Sequence, residues 1–416
     1  MRAGFAGNEK IVSVKARQII DSRAMPTIEV EAATKNFSAI ASAPSGASKG
    51  SFEAVELRDC LKPYGGKSVM SAVRGVNNKI AGKLKGMNPR GQKKIDEALI
   101  GLDGTKGKSK LGGNAILASS VCCARLGAQS EKKELFEFIG EICGHKRFHL
   151  PVPCFNVING GLHAWNELSI QEYWVIPEEK RFADNLRVGV ECYNALKKRV
   201  AAKYGRQYTA VGDEGGFAVP DSNPRAPVEL ILDSTGDAGY GGRVSIGIDV
   251  AASVLFRQGK YELEKRMLEP NEMIEFYSGL VKDYGVKILE DPFAESDYTS
   301  WIRLNHSLGK KALIAGDDLT ATNSLRLQVA REEKWCNSVI VKPNQAGTVS
   351  EAVEFAVRAK KFGWKTIAAH RSGDTEDAFI ADFAVGTQAD YAKFGAPCRG
   401  ERTAKYNRLL RIEEIV

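Results

Sequence analysis

The spacing of apolar residues changes character twice along the chain. KIVSVKARQII, PTIEVEAAT and FSAIASA alternate apolar with polar positions, and the turn-like DSRAMP and KN separate them, so a small antiparallel sheet is predicted within the first 50 residues. Past SAPSGASKGSF the period lengthens to that of a helix in VMSAVRGVNNKIAGKLKG, IDEALIGL, NAILASSVCCARLGA and KKELFEFIGEIC. Residues 1–140 therefore read as an α+β unit. From LPVPCFNV onward, short β-branched runs recur between helical segments such as NEMIEFYSGLVKDY and SEAVEFAVRAKKF, the texture of parallel strands joined by crossover helices.

Each of these later runs closes on a polar or charged residue: VSIGID at Asp249, VKILED at Glu290, ALIAGDD at Asp317, SVIVK at Lys342, TIAAHRS at His370 and DYAK at Lys393. Successive closing residues stand 23 to 41 positions apart, room for a strand and its helix. A (β/α)8 barrel of the TIM type brings every strand's carboxyl end to one rim, so these six residues are expected to meet there. Residues 141–416 are accordingly predicted to form a catalytic β/α barrel, giving an α/β protein with a smaller α+β amino-terminal unit. An open doubly wound sheet is the alternative, but no GxGxxG opens a helix after the first strand.

Composition narrows the class. The 416 residues are 43% hydrophobic and 26% charged, with 41 Gly and 14 Pro, which fits a folded globular protein and excludes collagen-like or low-complexity chains. No apolar run approaches the roughly 20 residues needed to cross a bilayer, and MRAGFAGNEKIVSV lacks a secretory core, so a cytoplasmic location without membrane attachment is expected. Eight cysteines without a CxxC predict reduced, mostly buried thiols. The net charge of +8 suits an anionic substrate. It does not indicate nucleic acid, because HKRF and KKRVAAKYGR lack interleaved aromatic residues and the second reads as a solvated helix face.

Three carboxylates at successive strand ends, Asp249, Glu290 and Asp317, form an oxygen donor set for a hard divalent cation, and Mg²⁺ is the expected metal. Any one acid serves equally well as a helix cap; three in succession favour the metal. Lys342 and Lys393 stand at neighbouring strand ends. A lysine beside a divalent cation and a second ammonium has its pKa lowered toward that of a general base, while a salt-bridge network with the acids is the alternative. VGDEGGF places Asp213 and Glu214 before paired glycines, and INGGLHAWNELSIQE carries His163, Gln171 and Glu172. Either stretch can supply a carboxyl group that holds a proton for a leaving group. HRSG adds Arg371 and Ser372, a guanidinium fork and a hydroxyl suited to phosphate.

Taken together, SGAS, INGG.HA.N, QE, VGDEGG, IG.D.A.S, EDPF, DDL, K.NQ.GT, HRSG.TED and K.GAP.R.ER resemble the enolase family from KARQIIDSR to AKYNRLLRIEE. The resemblance implies a smaller amino-terminal domain capping a modified barrel whose early strands are not all parallel, with a lid loop near 42–51. It implies the reversible, Mg²⁺-dependent dehydration of 2-phosphoglycerate to phosphoenolpyruvate, a lyase step of glycolysis and gluconeogenesis, with two Mg²⁺ per active site. Asp249, Glu290 and Asp317 would hold the first ion, and Ser48 the second on closure. Lys342 would take the C2 proton; Glu214, supported by Glu172, would protonate the departing hydroxyl. Lys393 would hold the substrate carboxylate, Arg371 and Ser372 the phosphate, and His163, Gln171 and His370 would line the pocket. A homodimer or an assembly of dimers is implied as well.

The chain also departs from the family's usual wording. DSRGNPT is DSRAMPT here, with Ala24 and Met25; SGAST is SGASK, with Lys49; SHAGN is LHAWN, with Leu162 and Trp165; KTGAP is KFGAP, with Phe394; SSEFF is ASVLF, with Val254. These changes bear on rate and substrate fit. Leu162, Trp165 and Phe394 motivate a second reading, an enolase-like paralogue acting on another carboxylate or turning over slowly; the resemblance also leaves room for a third, a largely non-catalytic scaffold, against which the intact acid, base and metal set argues.

Overall fold

The structure is a computed structural model that describes residues 9–46, 50–60 and 62–416. Strands β1 (Ser13–Ile20), β2 (Pro26–Ala33) and β3 (Ser38–Ser42) pair antiparallel in chain order, as their short connections require. The β1–β2 turn is fastened by Asp21, whose Oδ1 accepts the N–H groups of Arg23 and Met25 at 2.9 Å each. Ala24 takes a positive φ of 57° in that turn, a conformation that favours glycine. Ile28, Val30 and Ala32 turn to the interior with the almost wholly buried helix Gly113–Glu131.

Eight strands close the barrel predicted for the second part of the chain: β4 (Val152–Asn159), β5 (Glu172–Pro177) and β6 (Val244–Asp249), then, after a small sheet of β7 (Phe256–Arg257), β8 (Lys260–Leu263) and β9 (Arg266–Leu268), β10 (Val286–Glu290), β11 (Leu313–Gly316), β12 (Ser338–Val341), β13 (Lys365–Ala369) and β14 (Tyr391–Lys393). The order around the ring is β10-β11-β12-β13-β14-β4-β5-β6. β5 runs antiparallel to both its neighbours because only a short loop, with no crossover helix, returns the chain from β4. The other neighbouring strands pair in parallel.

Register places the polar residues on one rim. Glu172 pairs with Asn159 and with Asp249, Asp249 pairs with Glu290, and Lys393 pairs with Cys154 and Ala369. Below that row the interior is apolar, with Cys154, Trp174, Ile176, Ile288, Ile340 and Ile367 packed together. The amino-terminal unit is tied to the barrel through a bridge between Ser45 and Gly373 and through Asp96, which caps a barrel helix. Among the described residues no helix is long and apolar enough to cross a membrane, and all eight cysteines are free thiols.

Candidate active site

On one side of the rim stand two glutamates and two imidazoles. Glu172 opens β5, and His163 sits in the turn Gly161–His163, its Nδ1 3.5 Å from Glu172 and 3.7 Å from Glu214. The GDEGG loop carries Glu214 to this point because Phe217 bridges to Ile158 of β4. Gly215 in that loop has φ 90°, and a Cβ there would lie 2.8 Å from Cys398 Sγ, so both conformation and space require glycine. Glu214 Oε2 lies 3.1 Å from Asn156 Nδ2, which donates to it, and 3.0 Å from His370 Nε2. Arg402 Nη1 donates to His370 Nδ1 at 2.6 Å, which leaves the proton of the neutral ring on Nε2, facing Glu214.

These environments push the two glutamates apart. Burial, reinforced by the charge of Glu214, raises the Glu172 carboxyl well above the carboxylate range. Burial also opposes ionisation of Glu214, but His370, His163 and Arg402 outweigh it and hold that carboxyl well below the range. Burial drives His370 down to about 3, so its ring is neutral at neutral pH. The two neighbouring carboxyl groups are thus shifted in opposite directions, Glu172 toward its protonated form and Glu214 toward its ionised form.

Across the mouth, four strands around the ring from β5, Lys342 follows β12. Its Nζ is hydrogen-bonded to Asp317 Oδ2, and its backbone N–H donates to Thr322 Oγ1 at 2.9 Å. Burial lowers the Lys342 pKa, but Asp317 outweighs it and holds the ammonium above its ordinary value.

Lys393 stands among the acids, 2.8 Å from Glu290, 3.2 Å from Asp249 and 3.3 Å from Glu172. Glu290 is fully buried and lies behind the cleft wall that Asp249 and Asp317 line. Its neighbour Asp291, at φ 40°, also lines the cleft and accepts the backbone N–H groups of Asp317 and Asp318, both at 2.9 Å. The paired acids closing β10 therefore divide their work: one faces the barrel and the other fixes the next strand's end.

Donor atoms of Asp291, Asp317 and Asp318 lie within 4.8 Å of one another, as do those of His163, Glu172 and Glu214. Lys393 occupies the space between Asp249 and Glu290, so these two do not join Asp317 in a single group of that spacing. Glu290 and Asp291 are raised well above the carboxylate range by burial and then by their acidic neighbours, and Asp318 is pushed up to about 7 by burial and Asp317. Buried carboxyl groups in such excess over the nearby ammonium groups fit a hard divalent cation, which oxygen donors hold.

At the third edge of the cleft, Arg371 reaches Glu53 at 2.9 and 3.3 Å, and Ser372 is buried beside it. Arg402 gathers this end, donating to the carbonyl oxygens of Arg371 at 2.6 Å, Ser372 at 2.5 Å and Asp213 at 3.1 Å. Gln171 also lines the cleft, 3.4 Å from Asp249. Ser48 and Lys49 lie outside the described residues. Leu162 and Trp165 project into solvent, whereas Phe394 is buried against Tyr406 with ring centroids 5.8 Å apart.

Sequence reasoning assigned no role to Glu53, Asn156, Trp174, Asp318 or Arg402. Arg402 falls within the quoted K.GAP.R.ER wording, and Asp318 in the DD pair, so those two carried a signal. The others read as ordinary positions until the fold brings them against Arg371, Glu214 and Glu172, which line the cleft.

The family model described as "Enolase, N-terminal domain" matches residues 11–139, and the one described as "Enolase, C-terminal TIM barrel domain" matches residues 147–416. Among curated proteins, Enolase 1 of Entamoeba histolytica is 44% identical over 418 aligned residues, covering 97% of this chain and 96% of that protein.

Proposed function

This chain belongs to the enolase family and is a phosphopyruvate hydratase, and from that premise we propose that the cleft interconverts 2-phosphoglycerate and phosphoenolpyruvate with the following division of labour. Lys342 takes the proton from C2. The C3–O bond breaks as the C2–C3 double bond forms, and Glu214 gives the departing hydroxyl its proton so that water leaves. The proton that Glu214 delivers comes to it from Glu172, the neighbouring carboxyl group that is shifted toward its protonated form. Lys393 binds the substrate carboxylate, Arg371 and Ser372 bind the phosphate, and His163, Gln171 and His370 shape the wall between them.

Two Mg²⁺, the first held by Asp249, Glu290 and Asp317 and the second reached by Ser48, would supply positive charge against the substrate carboxylate, which makes the C2 proton acidic. The observation that supports this arrangement best is that Lys342 and the Glu214–Glu172 pair line one cleft from opposite sides of the barrel. A base on one side and an acid on the other suit an elimination in which proton and hydroxyl leave in different directions. We assign residues 1–140 to a capping domain with its lid near 42–51 and residues 141–416 to the catalytic barrel. The enzyme is read as a cytoplasmic homodimer or assembly of dimers.

The test follows the ultraviolet absorbance of the enol phosphate as it forms from 2-phosphoglycerate, first with Mg²⁺ and then with chelator. Metal-dependent turnover is expected. Folded, metal-loaded protein without turnover would overturn the assignment.

A further inference from the structure

One large side chain beneath the rim touches two of the proposed active-site groups at once. Trp174 is two residues along β5 from Glu172, so both point to the same face of the strand, into the barrel. Its indole Nε1–H donates to Glu172 Oε2 at 2.8 Å, shorter than the contacts that Lys393 and His163 make with that carboxyl group, at 3.3 and 3.5 Å. Its ring lies under Lys393, with Nζ 4.8 Å from the ring centroid, within the range of a cation–π contact. The indole is fully buried.

The barrel makes room for this side chain. Trp174 pairs across the sheet with Gly247 of β6, and a Cβ on Gly247 would lie 2.4 Å from Trp174 Cε3. Any larger residue at 247 would drive the ring out of its place. A buried tryptophan needs a partner for its N–H, and here the partner is a carboxyl group at the reaction centre rather than a backbone carbonyl.

We propose that Trp174 is a positioning residue of this enzyme: its indole N–H fixes the Glu172 carboxyl group, and its ring face seats the Lys393 ammonium. The acid side of the cleft and the substrate-carboxylate site are thereby held in fixed relation by one rigid aromatic side chain. The inference rests on the roles given above to Glu172 and Lys393. The two contacts are separable, because phenylalanine keeps a ring and loses the N–H, while leucine loses both.

Steady-state kinetics with 2-phosphoglycerate and Mg²⁺ would be measured for the wild type, Trp174→Phe and Trp174→Leu, with the melting temperature of each. Trp174→Phe is expected to lower kcat about tenfold, the effect of one hydrogen bond, while KM stays within about twofold of wild type. Trp174→Leu is expected to show that loss and, in addition, a KM raised roughly threefold as Lys393 loses its seat. A kcat for Trp174→Phe within about twofold of wild type, or losses that merely follow the folded fraction, would overturn the inference. A second measurement needs no substitution of Trp174 and no turnover: in ¹⁵N-labelled protein, the Trp174 indole resonance, assigned through its contacts to Gly247, should move when Glu172→Gln is introduced. An unmoved resonance overturns the inference, whereas an inactive wild type with a responsive indole would overturn the reaction assignment and leave the positioning contact standing.

Discussion

Replacing Asp96 by alanine measures how firmly the amino-terminal unit holds the barrel. Asp96 lies on Gln92–Asp103 and is buried, yet its Oδ2 accepts the N–H of Ser350, at the start of the barrel helix Val349–Lys361, at 2.9 Å. Its Oδ1 accepts Ser120 Oγ at 2.6 Å and Gln92 Nε2 at 3.0 Å, and Ser120 Oγ in turn accepts the N–H of Val349 at 3.0 Å. The first unit thus satisfies two of the N–H groups that the start of a barrel helix leaves open. Asp96→Ala removes the hydrogen bonds from Ser350, Ser120 and Gln92 and strands the Ser350 N–H. At about 1 kcal/mol per bond and 1–3 kcal/mol for the stranded donor, offset by the carboxyl group no longer buried, the net loss is about 3 kcal/mol. Asp96→Asn keeps the shape and one acceptor, and about 1 kcal/mol is expected.

Urea unfolding followed by circular dichroism at pH 7 provides the readout, with the denaturant slope compared between variants. An Asp96→Ala midpoint corresponding to less than about 0.5 kcal/mol of loss would refute the capping argument. Burial raises the Asp96 carboxyl above its ordinary 3.8. The folded chain therefore keeps a proton that the unfolded chain releases, and this contribution to stability is lost as pH rises from about 3.8 through the raised value. Asp96→Asn should lack that loss.

Lys342→Ala should abolish exchange of the substrate C2 proton with deuterated solvent while Mg²⁺ still raises the melting temperature; continued exchange would remove Lys342 as the base. Mg²⁺ at one hundred times its dissociation constant should stabilise the chelated protein by about 2.7 kcal/mol, and Asp317→Asn should blunt the effect; calorimetry showing no response to Mg²⁺ would count against the donor set. Ala24→Gly relieves the positive φ of 57° in the β1–β2 turn and should raise stability by roughly 0.5–1 kcal/mol, read from denaturant midpoints. His370, pushed down to about 3 by burial, should remain neutral while the unfolded chain protonates near 6.5, so its contribution to stability is lost as pH falls from about 6.5 toward 3. An imidazole resonance of His370 that titrates between about pH 5 and 8 would contradict this.

The barrel was legible because its strands stop on charged residues at intervals that a crossover helix fills, a pattern that local periodicity carries in full. The antiparallel β5 came only through the family resemblance, since the run EYWVIP gives no sign of direction. Trp174 was hidden for a related reason: in an apolar run it reads as core, and its N–H acquires meaning only once Glu172 is known to share its face. Glu53 and Arg371 meet across the two units, and no local pattern reports a pairing between segments so far apart. Asp96 could be read only as a polar residue within a helical pattern. Lys342 shows a different limit: its residue type was visible, whereas its contact with Asp317 exists only in the fold.

The seam between β4 and β14 governs how this enzyme comes into being. Val152 pairs with Tyr391, so the ring closes between its earliest-made and latest-made strands, with almost all of the barrel's sequence synthesised in between. A nascent chain that has emerged only through β13 already holds the rim's carboxylates but not Lys393, and its β4 edge is open to stray pairing. Such distant pairing folds slowly and passes through states that invite aggregation. Activity is therefore expected to arrive in a single step, when β14 docks, rather than to grow with the length of chain made.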